Sequence, residues 1–539
     1  MAQLRHCPSE LLDLIIEYLI LRIGIAKAVR LRNVGRAFNV AILDAIIVRQ
    51  VVDSLDPATP SLWWLMSSDL RAKIAVVKSC STEVARTDGL FAIARVNQML
   101  DKLTSETDEN LLRKRHEAVA EVVNPCCSGY GSPDKTYDAK LEAQNILSGA
   151  IIIGNMPVVK SLLTGSQDVP TPLVNVNGTT SYFGRPLVLA AGCGHIQVVR
   201  YLLNHGARPD IISGYSLHET EIDRENSDWE PALDTALLLA SSGNRHPATA
   251  PSALRAAVLG GYIDIVRLLL LPEYRLSPSK MEYLAAIVAA ARVSVDLIQM
   301  LVQAGERSFL DICGLGQEMI WEAIRYDRKD VVQMLLDTGA ADVNQLAESY
   351  HSRITCSLQY AASLGNIGMI RFLLERGANI HLPEFAGGHS PVEGAAISGH
   401  EEAVEILLEH GANPDEALRG AARGGEPRVV KWLLDRFPDL LHQENGDVGR
   451  RALFYAVGCR NLTSLTILVK HGAALNDGYA YPSELPINLA KDGFGSWVVR
   501  HLLSLGAEDT DTETLQEREF TGMGFIRTSE RTWEWLGKY

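Results

Sequence analysis

A chain of 539 residues with 47% hydrophobic and 22% charged side chains has a folding composition and is too long for one simple core. Its formal net charge of −14 argues against nucleic acid or an anionic membrane as the main partner. No run of about 18 apolar residues occurs, so no transmembrane helix is expected, and Glu10, Asp13 and Glu17 interrupt what would be the apolar part of a leader. The eight cysteines (Cys7, Cys80, Cys126, Cys127, Cys193, Cys313, Cys356, Cys459) contain no C-x-x-C pair. Zinc and thioredoxin-like chemistry therefore lack their minimal spacing, and scattered thiols fit a reducing compartment.

The first predicted element is "PSELLDLIIEYL", residues 8–19, where Pro8, Ser9 and Glu10 make a helix start ahead of an apolar stripe. A second block, "LRNVGRAF", follows at residues 31–38. Together they resemble the F-box, whose first half reads P-x-E-L-L-x-x-I-[LF]-x-[YF]-L and whose second reads roughly L-R-x-V-x-R-x-[FW]. Cys7, the basic link "ILRIGIAKAV" and Gly35 depart from that pattern. The resemblance implies docking of a Skp-type adaptor and a cullin scaffold through Pro8, Leu11, Leu12, Ile15, Leu19, Val34 and Phe38, within a domain at 1–50. The competing reading is an amphipathic helical cap with no adaptor.

Residues 51–140 read as a helical connecting region. "LRAKIAVVKSC", "GLFAIARVNQMLDKL" and "DENLLRKRHEAVAEVV" are predicted helices, and "NPCCSGYGSPDK" is a loop by its Pro, Gly and Ser content.

From about residue 141 to 510 the chain repeats itself. Comparable segments register on Ala150, Ala190, Ala257, Ala289, Ala323, Ala361, Ala395, Ala421, Ala456 and Ala490, most of them 32 to 40 residues apart. All ten carry Leu-Leu or Leu-Val 12 and 13 positions later, and seven carry glycine at 16 (Gly206, Gly305, Gly339, Gly377, Gly411, Gly472, Gly506). Small residues at the alanine let two antiparallel helices approach. Val198, Val199, Leu202 and Leu203 form one apolar stripe, and the glycine suits a left-handed helix cap. Units of this kind bury their faces only by stacking. "SPVEGAAISGHEEAVEILLEHGANPD" and "SLQYAASLGNIGMIRFLLERGANI" resemble the ankyrin repeat. The expected fold is thus all-α: an ankyrin solenoid of about ten helix pairs with short β-hairpin loops, behind a small helical F-box-like domain.

Irregularities mark the array. An acidic insertion occupies about 211–249, and "DTALLLASSGN" within it reads as a first helix without its second. The 26-residue step from Ala395 to Ala421 leaves no room for a β-hairpin. Residues 511–539, with Trp533 and Trp535, are expected to cover the last apolar face.

Catalytic patterns fail on named residues. Val404 stands where H-E-x-x-H needs its second ligand, and Asp134 precedes Lys135 where a phosphate loop needs glycine. No G-x-S-x-G is present. The adjacent Cys126 and Cys127 lack the spacing of metal ligands. His195, His400, His205, His410 and His471 recur at fixed repeat positions and are assigned structural roles. No enzyme, cofactor or metal is expected, and the partner is a protein on the concave face of the first helices. Trp321, Arg325, Tyr326, Arg423 and Phe454 are the partner-binding candidates, since Trp, Tyr and Arg dominate interface energetics; packing between repeats is the alternative for Trp321 and Phe454. The expectation is a cytoplasmic or nuclear substrate receptor of a cullin-type ubiquitin ligase, or else a plain ankyrin scaffold or inhibitor.

Overall fold

The computed structural model describes residues 14–20, 36–47, 68–79, 89–123, 138–164, 174–180, 182–209, 246–274, 281–305, 315–348, 354–382, 389–476, 485–491, 496–508, 525–529 and 532–535. The chain divides into two compact units, Met1–Arg307 and Ser308–Tyr539. "DTALLLASSGN" and the loop at 124–135 lie outside the described residues.

In the first unit, residues 14–20 are helical. Ile16 and Ile20, four apart and so on one face, are buried, while Leu14, Ile15 and Tyr18 are 62%, 46% and 66% exposed. Helix α1 (Arg36–Ile47) buries Ala41, Ile42, Ala45 and Ile46. Then come α2 (Ser68–Ser79), α3 (Gly89–Thr104) and α4 (Glu109–Val122), close to the predicted limits. Asp108 caps α4 by accepting from the backbone N–H of Asn110 and Leu111.

Four helix pairs follow in this unit: α5 (Ala139–Ile152) with α6 (Met156–Thr164), α7 (Pro186–Gly192) with α8 (Ile196–Asn204), α9 (Ala253–Leu259) with α10 (Ile263–Leu269), and α11 (Met281–Ala290) with α12 (Val295–Gly305). Helices α3 and α4 pack on α5. Gly149 makes that approach possible, because a Cβ there would fall 2.2 Å from Val96 Cγ1.

The second unit continues the pattern with α13 (Leu315–Arg325) and α14 (Lys329–Asp337), α15 (Ser357–Ser363) and α16 (Ile367–Glu375), and α17 (Pro391–Ile397) and α18 (Glu401–Glu409). Next are α19 (Pro414–Gly424) and α20 (Pro427–Arg436), α21 (Asp447–Gly458) and α22 (Leu462–Lys470), and α23 (Pro486–Lys491) and α24 (Ser496–Ser504). All ten registered alanines sit in the first helix of a pair and are fully buried. Among the described residues no helix is long and apolar enough to cross a membrane.

The glycine at position 16 has positive φ in six of the seven cases. Gly305 differs. It ends α12 without that turn, and a Cβ on it would meet the Tyr283 hydroxyl at 2.6 Å. That glycine clears room for Tyr283, whose hydroxyl donates to the Leu301 carbonyl.

The described loops between pairs differ in kind. Between α14 and α15 a short hairpin forms, β1 (Ala347–Glu348) against β2 (Ile354–Thr355), antiparallel with Ala347 opposite Thr355. Between α18 and α19 only residues 410–413 intervene, and Asn413 Oδ1 accepts from the Asp415 N–H at 3.0 Å. The hairpin is absent at that step, as the 26-residue spacing requires. A further hairpin, β3 (Phe525–Ser529) with β4 (Thr532–Trp535), carries Trp533 and Trp535.

Neighbouring pairs are joined side chain to backbone. Asn344 Nδ2 donates to Gly377 O at 3.1 Å while its Oδ1 accepts from Asn379 N at 2.7 Å; Asn177 and Asn476 do the same one repeat length away. The turn between the helices of a pair also receives the next pair. At Gly425 (φ +69°) a Cβ would fall 2.4 Å from Asn461 Oδ1, and Asn461 Nδ2 donates to Ala422 O at 2.8 Å. Gly154 seats His195 likewise, with His195 Nε2 2.9 Å from Ile152 O.

Candidate protein-binding face

Helices α13, α15, α17, α19 and α21 are neighbours in the second unit. They pack closely because small residues line their contacts. A Cβ on Gly420 would meet the Glu393 carbonyl oxygen at 2.6 Å, and one on Gly424 the Ile397 oxygen at 2.1 Å. With the core filled by alanine and leucine, the longer side chains of these helices lie toward the surface or between neighbours.

Trp321, on α13, is half-buried and meets Tyr360 of α15 edge-on, with centroids 5.3 Å apart and planes at 80°. Its Nε1–H is buried without an acceptor among the described residues. One turn on, Arg325 is exposed and Tyr326 half-buried.

Glu393 of α17 is the most enclosed charge of the face. Its Oε2 lies 3.0 Å from Arg419 Nη2 of α19, and its Oε1 lies 3.0 Å from His389 Nδ1. Burial alone would push this carboxyl upward. The His389 contact and the Arg419 charge outweigh burial and hold it below the usual glutamate range. Asp415, at the start of α19, goes the other way: burial raises its pKa against the pull of Arg451 and Arg419.

Arg423, on the last turn of α19, is half-buried and donates from Nη1 to His389 Nε2 at 3.1 Å. Its guanidinium carbon lies 5.7 Å from the centroid of Tyr455 on α21, within cation–π range. Phe454 is half-buried and packs edge-on against Tyr455, centroids 5.6 Å apart. Arg451 bridges Asp415 at 3.4 Å and Asp447 at 3.2 Å, and also reaches Glu444.

The structure thus gathers Arg423 with Tyr455 and His389, and Trp321 with Tyr360. Arg325 and Tyr326 stand on α13, the same helix as Trp321. His389, Glu393, Arg419 and Tyr455 were not singled out from sequence. The available signal was register: Tyr455 immediately precedes its repeat alanine, as Tyr360 does. At the N-terminus, Ile15 is exposed and Leu19 half-buried on the helix at 14–20, and Phe38 belongs to α1. Pro8, Leu11, Leu12 and Val34 lie outside the described residues.

The histidines that close the second helices are held by backbone carbonyls. His205, His410 and His471 each place Nδ1 2.8 Å from the carbonyl four residues earlier. Among the described residues, no three His, Cys, Asp or Glu side chains are grouped as a metal site.

Residues 344–417 and 395–479 match the protein-family model of ankyrin repeats, and residues 185–213 match that of a single ankyrin repeat. The chain is 26% identical over 273 residues to the ankyrin repeat and KH domain-containing protein mask-1 of Caenorhabditis elegans, covering 48% of this chain and 10% of that protein. It is 28% identical to the human BCL-6 corepressor-like protein 1 over 26% of this chain and 8% of that one. With the mouse B-cell lymphoma 3 protein homolog the identity is 31%, over 26% of this chain and 32% of the other. The first two matches thus span a tenth or less of those proteins. The human ASB11 ankyrin repeat domain aligns with 42% of this chain and 99% of its own at 23% identity, with a TM-score of 0.32. Over residues 185–213 and 344–479 the repeated helix pairs are ankyrin repeats.

Proposed function

We propose that this chain is a non-catalytic receptor: its ankyrin repeats hold a protein partner on the first-helix face, and its F-box-like N-terminus docks a Skp-type adaptor of a cullin ubiquitin ligase. Support for the first part is the division of labour within the first helices. The repeat alanines are fully buried, while Arg325, Tyr326, Arg423 and Phe454 remain accessible around them, and side chains of these types anchor protein interfaces.

Support for the second part is the helix at 14–20, which buries Ile16 and Ile20 inward and presents Leu14, Ile15 and Tyr18 to solvent. Apolar side chains presented together on one short helix suit a protein contact. The mechanism is proximity: holding a substrate near a ubiquitin donor raises its effective concentration. Such a receptor calls on no cofactor and works in the cytoplasm or nucleus.

A pull-down decides between the two readings of the N-terminus. The intact chain should retain the adaptor, and a chain with Leu11, Leu12 and Ile15 changed to serine should lose it. If the intact chain never retains the adaptor, the remaining reading is a plain ankyrin scaffold or inhibitor whose N-terminal helices serve as a cap.

A further inference from the structure

We propose that the partner segment held on the first-helix face of the second unit is acidic, with two of its carboxylates seated against Arg325 and Arg423. The proposal rests on the protein-binding reading above and specifies its chemistry.

Five arginines stand on the first helices of Ser308–Tyr539. Arg419 pairs with Glu393 at 3.0 Å, Arg450 with Asp447 at 3.2 Å, and Arg451 with Asp415 and Asp447. Arg325 and Arg423 face no carboxylate among the described residues. The difference follows the repeat register. Both unpaired arginines lie two residues past their repeat alanine, Ala323 and Ala421, and the three paired ones lie before theirs.

That position forms an accessible lane. On the two intervening helices it carries Ser363 and Ile397, and none of the four residues is buried. From Ala323 to Ala456 no acidic residue stands two or three places past a repeat alanine. In a chain of net charge −14, this lane is a local cationic exception, so charge complementarity selects an acidic occupant.

Arg423 is also prepared for an anion. His389 Nε2 accepts one of its N–H groups and so carries a lone pair and no proton, leaving the arginine charge uncancelled. Tyr455 lies against the guanidinium. Of the five N–H donors of a guanidinium, one is used, and a fork remains for a carboxylate. Arg325 and Arg423 are three helix-to-helix steps apart, about 25–30 Å at 8–10 Å per step. An extended partner advances about 3.3 Å per residue, so the two acidic positions should fall roughly eight residues apart.

The test is to pan a random linear peptide library against the full chain and, in parallel, against the full chain carrying Arg325→Gln and Arg423→Gln. Matching circular dichroism and melting curves establish that the variant is folded. Enriched peptides should be rich in Asp and Glu, should weaken with added salt, and should bind the double variant about tenfold or more weakly. Enrichment without an acidic bias, or equal binding to both chains, overturns the acidic proposal and leaves the protein-binding reading standing. Enrichment of no peptide by the intact chain overturns both.

Discussion

Arg423 donates to His389 across 34 residues of sequence, at 3.1 Å from Nη1 to Nε2. A cationic donor leaves that ring nitrogen one choice: Nε2 accepts, which puts a ring hydrogen on Nδ1, the nitrogen 3.0 Å from Glu393 Oε1. Long-range ¹⁵N–¹H spectra of the His389 ring at neutral pH should report the Nδ1–H tautomer; an Nε2–H pattern would contradict the arrangement.

Acidification should act on this cluster in a defined direction. The Glu393 pKa is held down in the fold, so its contribution to stability is complete above the ordinary glutamate range and is lost as pH falls through the depressed value. Asp415, raised by burial, has the opposite sign and favours the fold at low pH. The urea midpoint of the intact chain should drop on acidification, and Glu393→Gln should flatten that drop while Asp415→Asn should steepen it.

Breaking the Glu393–Arg419 pair from one side leaves a cation beside a partner it has lost. Glu393→Ala should cost about 3 kcal/mol, read from the urea midpoint. Replacing both residues together with leucine and methionine should recover most of that loss, because the desolvation cost goes with the pair.

Two glycines near the ends of first helices should respond oppositely to alanine. Gly424→Ala would drive a Cβ to 2.1 Å from the Ile397 oxygen and should cost several kcal/mol. Gly458→Ala meets nothing within 4 Å and should stabilise by about 0.5 kcal/mol through the unfolded chain. Equal effects on thermal melting would contradict the packing described.

Burial, reinforced by the charge of Glu121, pushes the Cys193 thiol up to about 12, and burial also raises Cys356. Thiolate is the reactive form. Burial raises Cys459 as well, against the pull of Arg423, so exposure decides: iodoacetamide applied to the native chain at mildly alkaline pH should modify exposed Cys459 ahead of both, as followed by peptide mass mapping.

The repeats were legible because their signal is short-range and recurs. An alanine that must be small, with leucine 12 places on, located a first helix in every one of ten cases. Even there context decides the detail: Leu162 is only half-buried, whereas the equivalent Leu202 is fully enclosed. Gly305 resembles its six counterparts in sequence and serves Tyr283 instead of a turn. The candidate face was less legible. Arg423, Arg325 and Tyr326 followed from residue type, but the links from Glu393 to Arg419 and from Arg423 to His389 join different repeats. No periodicity states which charges will find each other across that gap; only the packed helices do. Arg423 and Arg419 look alike in sequence, and burial of Glu393 beside one of them sets their roles apart.

The fit of Asn461 into Gly425, and of His195 into Gly154, gives the array a reading direction. At both places the earlier repeat offers a notch and the next one presses a peg into it, and the pegs differ in chemistry. Units are consequently not interchangeable: moving one along the chain mismatches a peg and a notch at both of its borders. An engineer shortening this protein should cut so that peg and notch leave together.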